Sequence, residues 1–288
     1  MNLRGAKPIQ DRSIKQFIST LSPAYDLYNN KIQEQFVKDF FNWVNSSKLN
    51  QLKGLGNFSN RKLTAGTAQT FDHFYWSNKN RRFRFYKGEF MYHSACLKNG
   101  GECCYIEDSE LDDNDAVIVS VPFSDWGTQR PMIELLDNCE KLDIPVLLDF
   151  AYYPCTRKID LDLDKWSCIN TVAFSISKAF YGAEFLRVGL RLQREDCDDG
   201  IDVFNSVEMV NRLSLSIAKS LIENYSIDHN WLAYETVYNQ ICKEYKLEPT
   251  DCVMFGLGGF KYQDYNRGGT VNRVCISEAI GERLNGNS

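Results

Sequence analysis

Histidine, methionine and proline are scarce in this chain, with three, five and seven copies among 288 residues. None of the histidines (His73, His93, His229) falls into a metal-ligand pattern with the cysteines, so no metal site is expected. No stretch approaches the roughly 18 to 20 unbroken apolar residues of a membrane span. The N-terminal MNLRGAKPIQDRSIKQF lacks the apolar core of a signal peptide. Positive charge is not in excess either: the net charge is −5 and the pI about 5.4, which argues against a nucleic-acid partner. The one basic run, Lys79 to Arg84, is interleaved with Phe83 and Phe85 and reads as a solvated loop or strand edge. Ten cysteines are scattered, and the vicinal pair Cys103–Cys104 makes no CxxC spacing, so reduced thiols in a cytoplasmic protein are expected.

What is present is an ordinary globular balance, 43% apolar and 25% charged residues. Residues 11–50 carry helical periodicity, through Ile14, Phe17, Ile18 and Leu21 and then from Ile32 through Phe36, Phe40 and Val44. Beyond about residue 60 short apolar runs recur: Ala116–Val121, Ile144–Phe150, Thr171–Ile176 and Leu186–Leu192. Such runs are what strands buried on both faces of a parallel sheet look like. Gln129–Leu142 reads as the crossover helix of a βαβ unit. Helical patterning returns over Ser206–Asn224 and Asn230–Tyr245, before a final strand at Thr270–Ile276. The expected architecture is α/β, with a large domain at 50–200. A smaller α/β domain comes from 201–288, with the N-terminal helices of 1–49 packed against one or both.

In open α/β sheets ligands bind beyond the carboxyl ends of strands, so residues just after these runs come first. Asp149 ends IPVLLDFAYY, where a buried acid needs a partner, be it a helix cap, an ion pair or a ligand. Lys178 follows NTVAFSIS; an amine desolvated there loses basicity and becomes a nucleophile toward carbonyls. Ser175 and Ser177 share one side of that segment and can donate to a phosphate. Arg187, nine residues past the lysine, can grip the same anion. Gly66 and Thr67 precede a helix over Ala68–Trp76, whose N-terminus is a ready anion site.

The order of these pieces is more specific than any one of them: GTAQ, PFSDWG, DFAYY, SISKAFYGAEFLRVG and a late arginine in NRVCIS. It resembles the fold-type-I pyridoxal-phosphate family, the aminotransferase class I/II group, best over about residues 60–192. The most telling portion is D-x-A-Y, then S-x-S-K with its lysine 26 residues after that tyrosine, then R-V-G. The resemblance implies a mainly parallel, seven-stranded-type sheet flanked by helices, and pyridoxal 5'-phosphate as cofactor. It implies Lys178 as the Schiff-base and proton-transfer residue, Asp149 on the pyridinium nitrogen and Tyr152 on the phenolic oxygen. The phosphate would lie among Gly66, Thr67, Ala68, Ser175 and Arg187. Phe90 would stack on the ring, with Tyr92 close enough to compete, and Arg273 would bind the substrate carboxylate. An active site at a homodimer interface is implied too, without a tyrosine the sequence singles out for the partner's phosphate.

Two departures stand out. The family's N-P-x-G stretch is S-D-W-G here, placing Ser124 at the asparagine and Asp125 at the proline, and the chain is short by about a quarter. Three functions follow. An aminotransferase acting on an amino acid is expected first. A lyase, cyclase or decarboxylase on the same cofactor is the alternative, and a regulatory protein on the same scaffold is the third. Tyr153, Trp126, Tyr181 and Glu184 are candidate pocket walls, and an acid at Glu184 would favour a substrate bearing an amine or guanidine.

Overall fold

The structure, a computed structural model, describes residues 6–98 and 100–286. Its centre is a seven-stranded sheet whose strands are β2 (Asn60–Thr64), β3 (Arg82–Phe85), β4 (Cys103–Tyr105), β5 (Asp115–Ser120), β6 (Val146–Asp149), β8 (Ile169–Ser175) and β9 (Gly189–Gln193). Two short strands, β1 (Gln51–Lys53) and β7 (Asp160–Asp162), pair in parallel apart from it. The order across the main sheet is β2-β9-β8-β6-β5-β3-β4. All neighbours pair in parallel except β9, which runs against both β8 and β2.

Period-2 alternation splits the buried strands between two apolar layers. Val117, Val119, Val146, Leu148, Val172 and Phe174 face one core, which the helix Ile32–Asn45 closes with Phe36, Phe40 and Trp43. Ala116, Ile118, Leu147 and Ala173 face the other, beneath Phe71, Phe74 and Tyr75 of the helix Thr67–Ser77. Burial on both faces is why these strands read as unbroken apolar runs. The crossover helix lies at Ile133–Lys141, inside the expected span.

The reversed strand β9 departs from the expectation that its run resembles the parallel ones. Between Ser175 and Gly189 there is only a four-residue helix, Ala183–Leu186. The stretch is long enough in residues for a parallel return, but such a return usually spends them on a full crossover helix, and with a single helical turn here the chain comes back antiparallel.

A second sheet, β10 (Leu247–Pro249), β11 (Phe255–Gly258) and β12 (Asn272–Cys275), is antiparallel throughout. It packs with the helices His229–Tyr245 and Ser277–Leu284 round Trp231, Tyr238, Met254 and Val274. Ile9 and Cys155 join the same cluster, so the N-terminal segment is fastened to this C-terminal layer. Among the described residues no helix is long and apolar enough to cross a membrane.

Candidate active site

Strands β5, β6 and β8 are adjacent and parallel, and their register sets Ser120 opposite Asp149 and Asp149 opposite Ala173. Their carboxyl ends therefore finish on one edge. There a cavity of about 410 Å³ opens between the main sheet and the C-terminal one. Thr67, Ala68, Phe90, Ser124, Asp149, Tyr152, Lys178, Arg187 and Arg273, separated by up to two hundred residues, all line it.

Asp149 is buried at the end of β6, and its Oδ1 accepts the Ala151 N–H at 3.0 Å. Burial raises its pKa to about 7. The Ala151 bond opposes that rise, the nearby Glu89 adds to it and Lys178 opposes it. Its second oxygen meets no protein donor among the described residues. Lys178 has its basicity lowered, chiefly by burial, and Nζ donates to the Ala6 carbonyl at 2.5 Å. A buried acid that resists ionising and an amine that gives up its proton readily thus share one wall. Tyr152 packs edge-on against Phe255 at 5.1 Å, and burial pushes its hydroxyl up to about 12, opposed by Arg273 and Arg267.

The anion end of the cavity has a distinct construction. The helix Thr67–Ser77 begins after Gly66 with no side-chain cap on its first turn, leaving N–H groups open at its N-terminus. Gly66 has φ of +80°, and a Cβ there would stand 2.9 Å from Arg187 Nη2, so only glycine lets that guanidinium close over the turn. Arg187 itself takes a left-handed φ of 54° and donates from Nη2 to the Ala65 carbonyl at 2.9 Å. Gly189 allows the close approach behind it: a Cβ would meet the Phe174 carbonyl oxygen at 2.7 Å and Gly66 Cα at 2.9 Å.

Some predicted residues sit differently. Ser175 lies one layer behind the wall, its Oγ donating to Ser177 Oγ at 2.9 Å, and Ser177 is the serine that reaches the cavity. Phe90 and Tyr92 both line the cavity with their rings stacked at 5.9 Å and 13°. Tyr92 is held by its hydroxyl on Asp72 at 2.8 Å. Ser124 donates to the Gly88 carbonyl at 3.2 Å, so its hydroxyl proton is turned away from the cavity. Of the suggested walls, Tyr153 is sealed in the core. Glu184 folds back to accept the Gly182 N–H at 2.7 Å and does not line the cavity.

Sequence reading missed Arg267, Glu89 and the burial of Asp125. Arg267 lines the cavity and donates to the carbonyls of Ser124 and Glu89, both at 3.2 Å. Glu89 is buried and accepts Ser120 Oγ at 2.5 Å, which brings a second carboxylate near Asp149. Asp125 is buried with no hydrogen-bond partner on either oxygen, and burial pushes its pKa up to about 6 against the pull of Arg267 and Arg273. All three lie in loops, where no periodicity marks an inward-facing residue.

No family model matches the sequence, and no curated protein does. Solved structures match over nearly the whole chain. An alanine aminotransferase from Pyrococcus furiosus superposes with a TM-score of 0.70 at 13% identity, covering 96% of this chain and 87% of that one. A pyridoxal-phosphate-bound C-S lyase from Staphylococcus hominis gives 0.66 at 12% identity, over 99% and 88%. The histidinol-phosphate aminotransferase from Clostridium acetobutylicum gives 0.66 at 13% identity, over 99% of both chains. At these identities the likeness is one of fold: the chain has the mixed α/β fold of the fold-type-I pyridoxal-phosphate enzymes.

Proposed function

We propose that this chain, folded like the pyridoxal-phosphate aminotransferases, is itself a pyridoxal-phosphate enzyme acting on an amino acid, with transamination as its reaction. The observation that carries the reading is the joining of Lys178, Asp149, Arg187, Arg273 and an uncapped helix N-terminus on one cavity. The residues fit the cofactor. The open first turn at Thr67 and Ala68, Ser177 and the Arg187 guanidinium suit a phosphate. Asp149, with one oxygen unbonded, suits a ring N–H, and Phe90 lines the same cavity.

Bound there, pyridoxal phosphate supplies an electron-withdrawing pyridinium ring that accepts the electron pair left when a substrate Cα bond breaks. Lys178 would present an amine of lowered basicity to the cofactor's aldehyde and would serve to take and return the proton of the substrate Cα. Asp149 would hold the proton on the ring nitrogen, and that cationic neighbour would favour its ionised form. Tyr152 and Arg273 line the same cavity, where the tyrosine would bond the phenolic oxygen and the arginine would fix a carboxylate. The homodimer that the resemblance implies belongs to this reading.

A second reading, elimination on the same cofactor, is favoured by Ser124 turning its proton away and by the acid beside it. A single experiment separates the two. Purified protein loaded with cofactor is mixed with a panel of amino acids, and the cofactor's absorbance and the products are followed. Transamination predicts conversion to the pyridoxamine form with a stoichiometric 2-oxo acid. Release of a product with no amine transfer to the cofactor would instead support elimination, and no change with any amino acid would contradict both.

A further inference from the structure

Two guanidinium groups enter the cavity from the C-terminal side. Arg273 sits on β12, where its neighbour Val274 faces the apolar cluster. Arg267 sits on the loop before that strand. There Gly269, whose Cβ would stand 2.2 Å from Asp125 Oδ2, lets the chain lie down on Asp125. Both arginines are anchored to one atom. Arg273 Nη1 donates to the Ser124 carbonyl at 2.5 Å and Arg267 Nη1 to the same oxygen at 3.2 Å. Arg267 Nη2 also donates to the Glu89 carbonyl at 3.2 Å. Sharing an acceptor keeps the two cations within the span of two hydrogen bonds.

Such a pair is costly unless anions meet it. Yet among the described residues neither arginine has a carboxylate within 4.0 Å. Each guanidinium has five N–H donors, and only three of the ten are used on protein carbonyls, with Arg273 Nε buried and unpartnered. Asp125 lies beyond ion-pair distance, and Glu89 already accepts from Ser120. One amino-acid carboxylate fills one fork bidentately and leaves the other open.

We propose that the site takes an amino acid with an anionic side chain, a dicarboxylic amino acid, in which Arg273 holds the α-carboxylate and Arg267 the second carboxylate. This rests on the reading of the cavity as an amino-acid site. The 410 Å³ must also hold the cofactor, which favours a short side chain of aspartate or glutamate length. It replaces the basic substrate that an acid at Glu184 suggested, since Glu184 is turned onto Gly182.

Calorimetric titration of the cofactor-loaded protein with succinate, butyrate and inorganic phosphate tests it without relying on turnover. Succinate is expected to bind at least roughly tenfold tighter than butyrate, the effect of one further charge-assisted pair. Arg267→Gln should collapse that ratio to near one, and Arg267→Lys should keep part of it. Butyrate or phosphate binding as tightly as succinate overturns the proposal. So does an Arg267→Gln variant that weakens both carboxylates by the same factor, because Arg267 then serves the shared group. Failure of the protein to take up pyridoxal phosphate at all, seen in the absorption spectrum before titration, overturns the underlying reading and this proposal with it.

Discussion

Asp149 carries the clearest single-residue consequence. A carboxyl whose pKa rises on folding stabilises the folded state while protonated and opposes it once ionised. With an unfolded pKa near 4 and a folded value of about 7, the cofactor-free protein should lose stability as pH climbs through that window. Glu89 strengthens the effect and Lys178 weakens it, while the Ala151 N–H stays fixed. Asp125 works in the same direction up to about 6 and is common to any Asp149 variant. Thermal melts of the cofactor-free protein at pH 5 and pH 8 should therefore show a smaller drop for Asp149→Asn than for the parent chain. Equal drops would mean that Asp149 is not the strained acid. Asp149 and Lys178 were legible in the sequence because each ends a buried run. Arg267 and Glu89 were not, because only the folding of distant loops onto the strand ends brings them there. Glu184 was misread for a related reason: nothing in a linear sequence shows that a side chain will bond its own backbone two residues earlier.

Among the elements, β9 is where the sequence said least and the structure most. A run buried on both faces looks the same in either direction, so Leu190 and Leu192 could not announce that their strand is reversed. Only the lack of a full crossover helix before it, with Ala183–Leu186 the one helical turn in between, carries that information. The reversal is what turns Arg187 back under Gly66, and Gly189 is the position that permits it. Gly189→Ala would press a methyl group against backbone on both sides, at the Phe174 carbonyl and Gly66 Cα, where no side chain can move aside. A loss of about 1–3 kcal/mol is expected in urea unfolding, with weaker retention of pyridoxal phosphate. Unchanged stability and unchanged cofactor retention would show that the turn has slack. The helices were easier to read: the apolar faces of Ile32–Asn45 and His229–Tyr245 show at their own period, because each buries one side only.

The whole molecule sets a sheet of seven strands against a three-stranded layer, with the candidate site in the cavity between them. That arrangement explains why the C-terminal third resembled little in sequence. It brings Arg273 on β12 and Arg267 on the loop before it to the cavity, which a short antiparallel sheet can do with many side-chain combinations. The N-terminal segment contributes to the same gap, with Ile9 packed in the C-terminal cluster and the Ala6 carbonyl on Lys178. Capture of the cofactor's aldehyde by the Lys178 amine, as proposed, is open to a chemical test. Protein incubated with pyridoxal phosphate is reduced with borohydride, digested, and its peptides are mapped by mass. A single stably labelled lysine is expected, at Lys178, with no label in Lys178→Ala. Label spread over surface lysines, or a variant that labels like the parent, would contradict it.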